Sequence, residues 1–117
     1  DLMPTCRQLI SDKGPAVETD GLSFLPTLLG QSADQAEHDF LYWEFHETNQ
    51  MALRCGDWKL YVDGGVPHLY NLAEDIHEDT DLAASYPDKV KQLVKILCRE
   101  HCDHPLFPVT LPTCDGQ

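Results

Sequence analysis

Apolar and polar residues alternate along the middle of the chain, between residues 39 and 72. Side chains point to opposite faces of a strand in turn, so this alternation predicts β-structure. Turn signals at Gly56-Asp57 and at Asp63-Gly64-Gly65 separate the apolar runs. We therefore predict a four-stranded antiparallel meander over residues 39–72.

Apolar residues at helical spacing follow nearer the end of the chain. They are Val90, Leu93, Val94, Leu97 and Cys98. The spacing predicts an amphipathic helix over residues 86–102. Ser85 with Asp88 has the pattern of an acidic capping box, and Pro87 suits the first turn.

The two ends of the chain complete an α+β prediction. Residues 1–30 are predicted as a helical lead-in, with a first helix from Asp1 to about residue 12 and a short second helix that Ser23 caps and Gly30 ends. Residues 103–117 contain three prolines and are predicted to be extended. We expect one subdomain over 1–117, a four-stranded antiparallel sheet packed by the long C-terminal helix. Three aromatic residues, Trp43, Phe45 and Trp58, indicate that a partner domain covers the other face of the sheet.

Length and charge narrow the possible partners. A chain of 117 residues is the size of one domain. Its formal net charge of -12 argues against binding to nucleic acid or to an anionic membrane surface. No apolar run is long enough to span a membrane. The five cysteines are an odd number at irregular spacings, which leaves the disulfide state and the redox compartment open.

Two candidate reactive sites were weighed and set aside. One is a zinc site, with Cys98, His101, Cys102 and His104 as possible ligands. Structural zinc sites usually draw their ligands from two separate elements, and a core cysteine with exposed histidines at the end of a helix is enough to explain these residues. The other is a serine nucleophile, but no serine lies in a glycine-flanked turn between a strand and a helix.

The end of the first strand is the candidate binding site. Between Tyr42 and Glu47 the chain places carboxylates, an imidazole and aromatic rings together. Such groups suit sugar binding, although composition alone favours an ordinary polar strand end.

Five segments of the chain form an ordered set: Asp1–Thr5, Asp20–Pro26, Tyr42–His46, Leu53–Lys59 and Leu69–Asp75. In this order and spacing they resemble the C-terminal third of sulfatases, most closely the arylsulfatase-like and N-sulfoglucosamine-sulfohydrolase-like enzymes. The resemblance implies a large α/β domain of the alkaline-phosphatase superfamily upstream, followed by a small α+β subdomain. It also implies a sulfuric ester hydrolase that acts on sulfated carbohydrates such as glycosaminoglycans.

The resemblance implies catalytic groups that this chain does not carry. Family members use a formylglycine made from a Cys/Ser-x-Pro-x-Arg motif, and a calcium ion binds the sulfate. The nearest segment here, Ser85–Lys89, has lysine in place of arginine. We therefore expect no catalytic residue, metal ligand or cofactor in this chain, and expect calcium and formylglycine in the missing N-terminal domain.

The expected role of the chain is to support the fold and the substrate cleft, with Glu44 and His46 facing the sugar. The N-terminal catalytic domain in cis and a sulfated carbohydrate are the expected partners.

The first residue is not methionine, which leads us to expect a longer protein. Family resemblance favours an extracytoplasmic location, periplasmic or secreted, or lysosomal in a eukaryote. A free-standing binding module, or the tail of a related phosphodiesterase or phosphonate hydrolase, are the alternatives.

Overall fold

The structure, a computed structural model, describes residues 1–10 and 18–114. The chain divides into two units, Asp1–His38 (unit 1) and Asp39–Gln117 (unit 2). That both belong to one subdomain of a larger protein stays a prediction.

Unit 1 contains two short helices, α1 (Leu2–Leu9) and α2 (Leu25–Leu28), and a 3-10 turn at Ser32–Asp34. The hydroxyl of Thr5 is buried at the centre of this unit, where it donates to the Asp1 carbonyl at 2.7 Å and accepts from the Phe24 amide at 3.0 Å. These bonds connect α1 to the segment that leads into α2. The predicted end of the first helix, at about residue 12, falls outside the described residues.

The capping predictions for the helices in unit 1 are confirmed only in part. Asp1 precedes α1, as predicted, but its carboxylate accepts from the Leu22 amide at 2.8 Å and lies 2.9 Å from His38 Nε2 instead of capping the helix. Gly30 follows α2 with a φ of 75°, a conformation that favours glycine, and its amide donates to Thr27.

Unit 2 contains the predicted meander. Its strands are β1 (Leu41–Phe45), β2 (Gln50–Cys55), β3 (Trp58–Asp63) and β4 (Val66–Asn71), and each pairs antiparallel with the next. The register aligns Leu53, Leu60 and Leu69 across three strands. Alternation therefore places these leucines on one face of the sheet, and this face is covered.

The third helix, α3 (Pro87–Glu100), provides that cover. Its stripe residues Leu93, Val94 and Leu97 pack against the sheet. The sheet contributes Met51, Leu53, Leu60, Val62 and Leu69, all of them at most 2% exposed. The α+β prediction is confirmed. None of the helices in the described part of the chain is long and apolar enough to cross a bilayer.

The capping-box prediction at the start of α3 is wrong. Ser85 and Tyr86 both donate their amides to the Leu82 carbonyl at 3.0 Å, which forms a tight turn before the helix. This turn makes Tyr86 the N-cap, and no side chain caps the helix. Ser85 therefore lies one residue too early to serve, while Pro87 occupies the first turn as predicted.

Two links hold the C-terminal segment of unit 2 in place, one to the β1–β2 connection and one to α3. Asn49, in the left-handed conformation at the end of the β1–β2 connection, contacts Thr110 through both atoms of its side-chain amide, at 2.6 and 3.0 Å. Cys98 on α3 forms a disulfide with Cys114. Residues 103–114 contain no helix or strand, consistent with the predicted extended tail, whose last three residues lie outside the described part of the chain.

The opposite face of the sheet carries large apolar side chains that unit 2 leaves accessible. Trp43 is 51% exposed and Phe45 is 53% exposed, and alternation along β1 places both on the face away from α3. Within the described residues of unit 2, no second layer covers this face.

Removal of the disulfide should loosen the tail without disrupting the sheet. The bond joins residues 16 apart, and closure of a loop of this length is worth about 3 kcal/mol in the chain-entropy account. Cys114→Ser should therefore lower the free energy of unfolding by about that amount in urea titrations.

Cys102→Ser is the matched control, because Cys102 is exposed and unpaired near the same end of α3. Equal stability of the two variants would contradict a structural role for the disulfide.

Candidate functional site

The end of β1 meets the end of α3 in unit 2 through a buried histidine. His101 follows the last turn of α3 with extended backbone angles, and its side chain is 6% exposed. Its Nδ1 lies 2.7 Å from Oε1 of Glu44. Glu44 can reach this ring because alternation places Tyr42 and Glu44 on the helix-covered face of β1.

The other nitrogen of the same ring also faces a carboxylate. His101 Nε2 lies 2.9 Å from Oδ1 of Asp103. A carboxylate accepts hydrogen bonds, so satisfying both contacts requires a proton on each ring nitrogen. The geometry therefore favours the imidazolium form of His101.

The ionisation of this cluster follows from burial and from its two carboxylates. Burial lowers the pKa of His101, but the hydrogen bonds to Glu44 and Asp103 more than offset it, and the net pKa is raised above its ordinary value. Burial, with a hydrogen bond to Glu44, raises the pKa of Tyr42. Tyr42 is therefore neutral, and its hydroxyl donates a hydrogen bond to Glu44.

His46 lies just beyond β1, in a 3-10 turn at His46–Thr48. Its ring contacts the edge of Phe107, with ring centroids 4.7 Å apart. Phe107 in turn stacks on His104 at 4.8 Å. The C-terminal tail thus adds an aromatic and a second imidazole beside the predicted site.

A shallow pocket of about 360 Å³ lies beside Phe107 and His104. It is lined by His101, Asp103, His104, Pro105, Phe107, Pro108 and Val109. Imidazole rings, a carboxylate and an aromatic ring around a small concavity can hydrogen-bond and stack with a polar ligand such as a sugar.

The two predicted site residues occupy different environments. Glu44 is committed to internal hydrogen bonds with His101 and Tyr42, whereas His46 is half-buried against Phe107. The sequence did not single out Asp103 or Phe107, because nothing local shows that the tail folds back. The substrate contacts of Glu44 and His46 stay predictions.

The interpretation of the end of α3 needs correction. His101 was expected to be exposed, yet it is buried because it continues the spacing of Val94 and Leu97 and so faces the sheet. That spacing could have indicated its position. Cys98 was expected to be a core thiol, but it is in the disulfide with Cys114.

Calcium and zinc were both tested against the side chains present. Among residues 1–10 and 18–114, no group of three or more His, Cys, Asp and Glu side chains is arranged to hold a metal ion. The described residues therefore do not fit the calcium site that the sulfatase resemblance implies.

Comparison with known proteins decides the relationship. No protein-family model matches the chain. Arylsulfatase K of Gallus gallus is 33% identical over 111 residues, which are 83% of this chain and 20% of that protein. Arylsulfatase K of Danio rerio is 31% identical over 118 residues, which are 90% of this chain and 22% of that protein. The chain is related to a part of the sulfatases. It spans only about a fifth of the length of the curated relatives it matches.

Solved sulfatase structures share the fold of this chain. A 2-O GAG sulfatase matches with a TM-score of 0.66 and 26% identity, over 85% of this chain and 23% of its own. A putative sulfatase from Bacteroides thetaiotaomicron matches with a TM-score of 0.67 and 26% identity, over the same shares. The sheet and helix of the segment are therefore an arrangement found within larger sulfatase chains.

The His101–Glu44 pair should make the stability of the segment depend on pH. The pKa of folded His101 is raised above its unfolded value, about 6.5. The stabilisation is therefore fully present below the unfolded pKa and is lost as the pH rises through the folded pKa. Glu44→Gln should lower the free energy of unfolding by about 1–2 kcal/mol at mildly acidic pH and by less under alkaline conditions.

Urea titrations over a pH series, with NMR titration of the His101 ring, measure this effect. Glu47→Gln is the control, since Glu47 is an exposed neighbour of the same charge. A stability difference that does not change with pH would contradict a charged His101.

Proposed function

We propose that this chain is the C-terminal subdomain of a sulfatase that hydrolyses sulfate esters of sulfated carbohydrates. The observation that supports this most is the match of the meander and its helix to solved sulfatases, over 85% of the chain. One of these structures is described as a 2-O GAG sulfatase, and the curated relatives are arylsulfatases. The chemical step belongs to the remainder of the protein, which supplies the formylglycine nucleophile and the calcium site.

The partner of unit 2 in this proposal is the N-terminal catalytic domain of the same protein. The exposed rings of Trp43 and Phe45 on the open sheet face provide an apolar surface for it. An antiparallel sheet tolerates one solvated face, but neighbouring exposed aromatic rings mark a contact surface. The matched region makes up about a quarter of the solved sulfatase chains, which leaves ample chain to form such a layer.

The role of the segment is to build one wall of the substrate cleft. His46 and the pocket lined by Phe107 and His104 present rings and imidazole groups to a sugar. Glu44 acts on the cleft indirectly. Its hydrogen bond to His101 holds the end of β1 against α3 and so positions His46. We accordingly assign His46 to the sugar and Glu44 to positioning of the strand end.

An extracytoplasmic location, periplasmic or secreted, or lysosomal in a eukaryote, completes the proposal. The disulfide between Cys98 and Cys114 supports it. Such bonds persist in oxidising compartments and are rare where thiols are kept reduced.

The proposal predicts that the catalytic activity requires the rest of the protein. The 117-residue chain alone should release no product from an aryl sulfate, because it carries no Cys/Ser-x-Pro-x-Arg motif. The complete protein, produced with formylglycine maturation, should turn over the same compound. Turnover by the chain alone, or none by the matured complete protein, would contradict the proposal.

His46→Ala in the complete protein tests the cleft wall. We expect a higher KM or a lower kcat on a sulfated oligosaccharide, with little change in melting temperature, because a substrate contact contributes to binding more than to folding. His77→Ala is the control, since His77 is an exposed histidine in the loop after β4. Unchanged kinetics with a lower melting temperature would assign His46 to packing against Phe107.

A further inference from the structure

A second and larger concavity lies along α3 in unit 2. It has a volume of about 620 Å³, and three elements form it: one side of α3, the β3–β4 turn at Gly65 and Pro67, and the tail at 111–114. The disulfide joins the tail to the helix at one end of this groove. The bond between Asn49 and Thr110 holds the tail just before it enters the groove.

The floor of the groove is apolar. Val90 and Val94 contribute from the helix, and Leu111 and Pro112 contribute from the tail. Val94 is only 6% exposed, so the floor is part of the packed core. Such an apolar surface can pack against the C–H groups of a ligand, but it has no charged side chain that could recognise a charged group of the ligand.

Charge recognition is available along one edge of the groove. Lys91, Lys95 and Arg99 all line it and recur every four residues on α3. That spacing places them on one side of the helix, each roughly 6 Å further along the axis than the last. They are three of only eight basic residues in a chain whose net charge is -12.

The lysines of this row are available to a ligand. Arg99 pairs with Glu100 at 2.7 Å and lies over the ring of Phe40. Lys91 and Lys95, both exposed, contact no acidic side chain among the residues that the structure describes. Two lysines without an acidic partner, next to Arg99 on an otherwise acidic protein, are complementary to a ligand with several spaced negative charges.

We propose that this groove is a second binding site, one that holds a sulfated saccharide chain away from the site at the end of β1. The lysine row pairs with successive sulfate groups, and the apolar floor receives the sugar rings between them. The choice of a saccharide rests on the proposed function, since the same row could attract another polyanion. The site would hold a polymeric substrate by a part that is not being hydrolysed.

Binding of a heparin-derived hexasaccharide to the 117-residue chain tests the site. Isothermal titration calorimetry at low ionic strength should detect binding that weakens as salt is added. The double variant Lys91→Gln/Lys95→Gln should lose about ten-fold in affinity, because two exposed charge contacts are removed. The chemically desulfated hexasaccharide should bind with at least a similar loss.

The matched control is Arg54→Gln/Lys89→Gln, which removes the same charge from residues that do not line the groove. It should change the affinity less than about two-fold, because neither charge contacts the ligand in the groove. All four substitutions are of residues outside the buried core, and circular dichroism of each variant confirms folding.

In the binding experiment, the site would be overturned by no binding to the wild-type chain, by equal losses in both double variants, or by equally tight binding of a hexaglutamate peptide. Activity of the complete protein separates this inference from the proposed function. If the Lys91→Gln/Lys95→Gln variant turns over a sulfated oligosaccharide with unchanged KM, the proposed sulfatase function stands and the groove is not a substrate-binding site. If the chain binds the hexasaccharide selectively but the complete protein shows no sulfatase turnover, the binding site stands and the proposed function is contradicted.

Discussion

The packing of α3 onto one face of the meander is the interaction on which the rest of unit 2 depends. Leu53, Leu60 and Leu69 lie side by side across three strands and are fully buried beneath Leu93 and Leu97. Each such side chain is worth roughly 1.5–3 kcal/mol on burial, while an exposed ion pair contributes at most about 1 kcal/mol. The contacts of His101, the disulfide and Asn49 therefore add to a layer that hydrophobic burial has already formed.

That same packing explains where the candidate sites lie. The C-terminal end of the helix brings His101 to Glu44, and the chain then continues to Phe107 beside His46. One side of the helix borders the groove, which the returning tail completes. The uncovered face, with Trp43 and Phe45, is left for the catalytic domain that the proposal requires.

The repeating patterns in the sequence predict the core of this structure and not its connections. Alternation over residues 39–72 and the stripe from Val90 to Cys98 predict the strands and the helix, because burial of one face demands those periods. The pairing of Glu44 with His101 joins residues 57 apart, and no local spacing reveals it. The disulfide was likewise hidden among five cysteines, since their pairing depends on how the tail returns.

The central claim is that this segment works as part of a sulfatase. The most direct test is to determine the coding sequence that precedes Asp1 in the same reading frame. The account predicts a Cys/Ser-x-Pro-x-Arg motif there, together with aspartates suited to calcium. A start codon immediately before Asp1, or an upstream domain with an unmodified threonine or serine and two zinc sites, would contradict it.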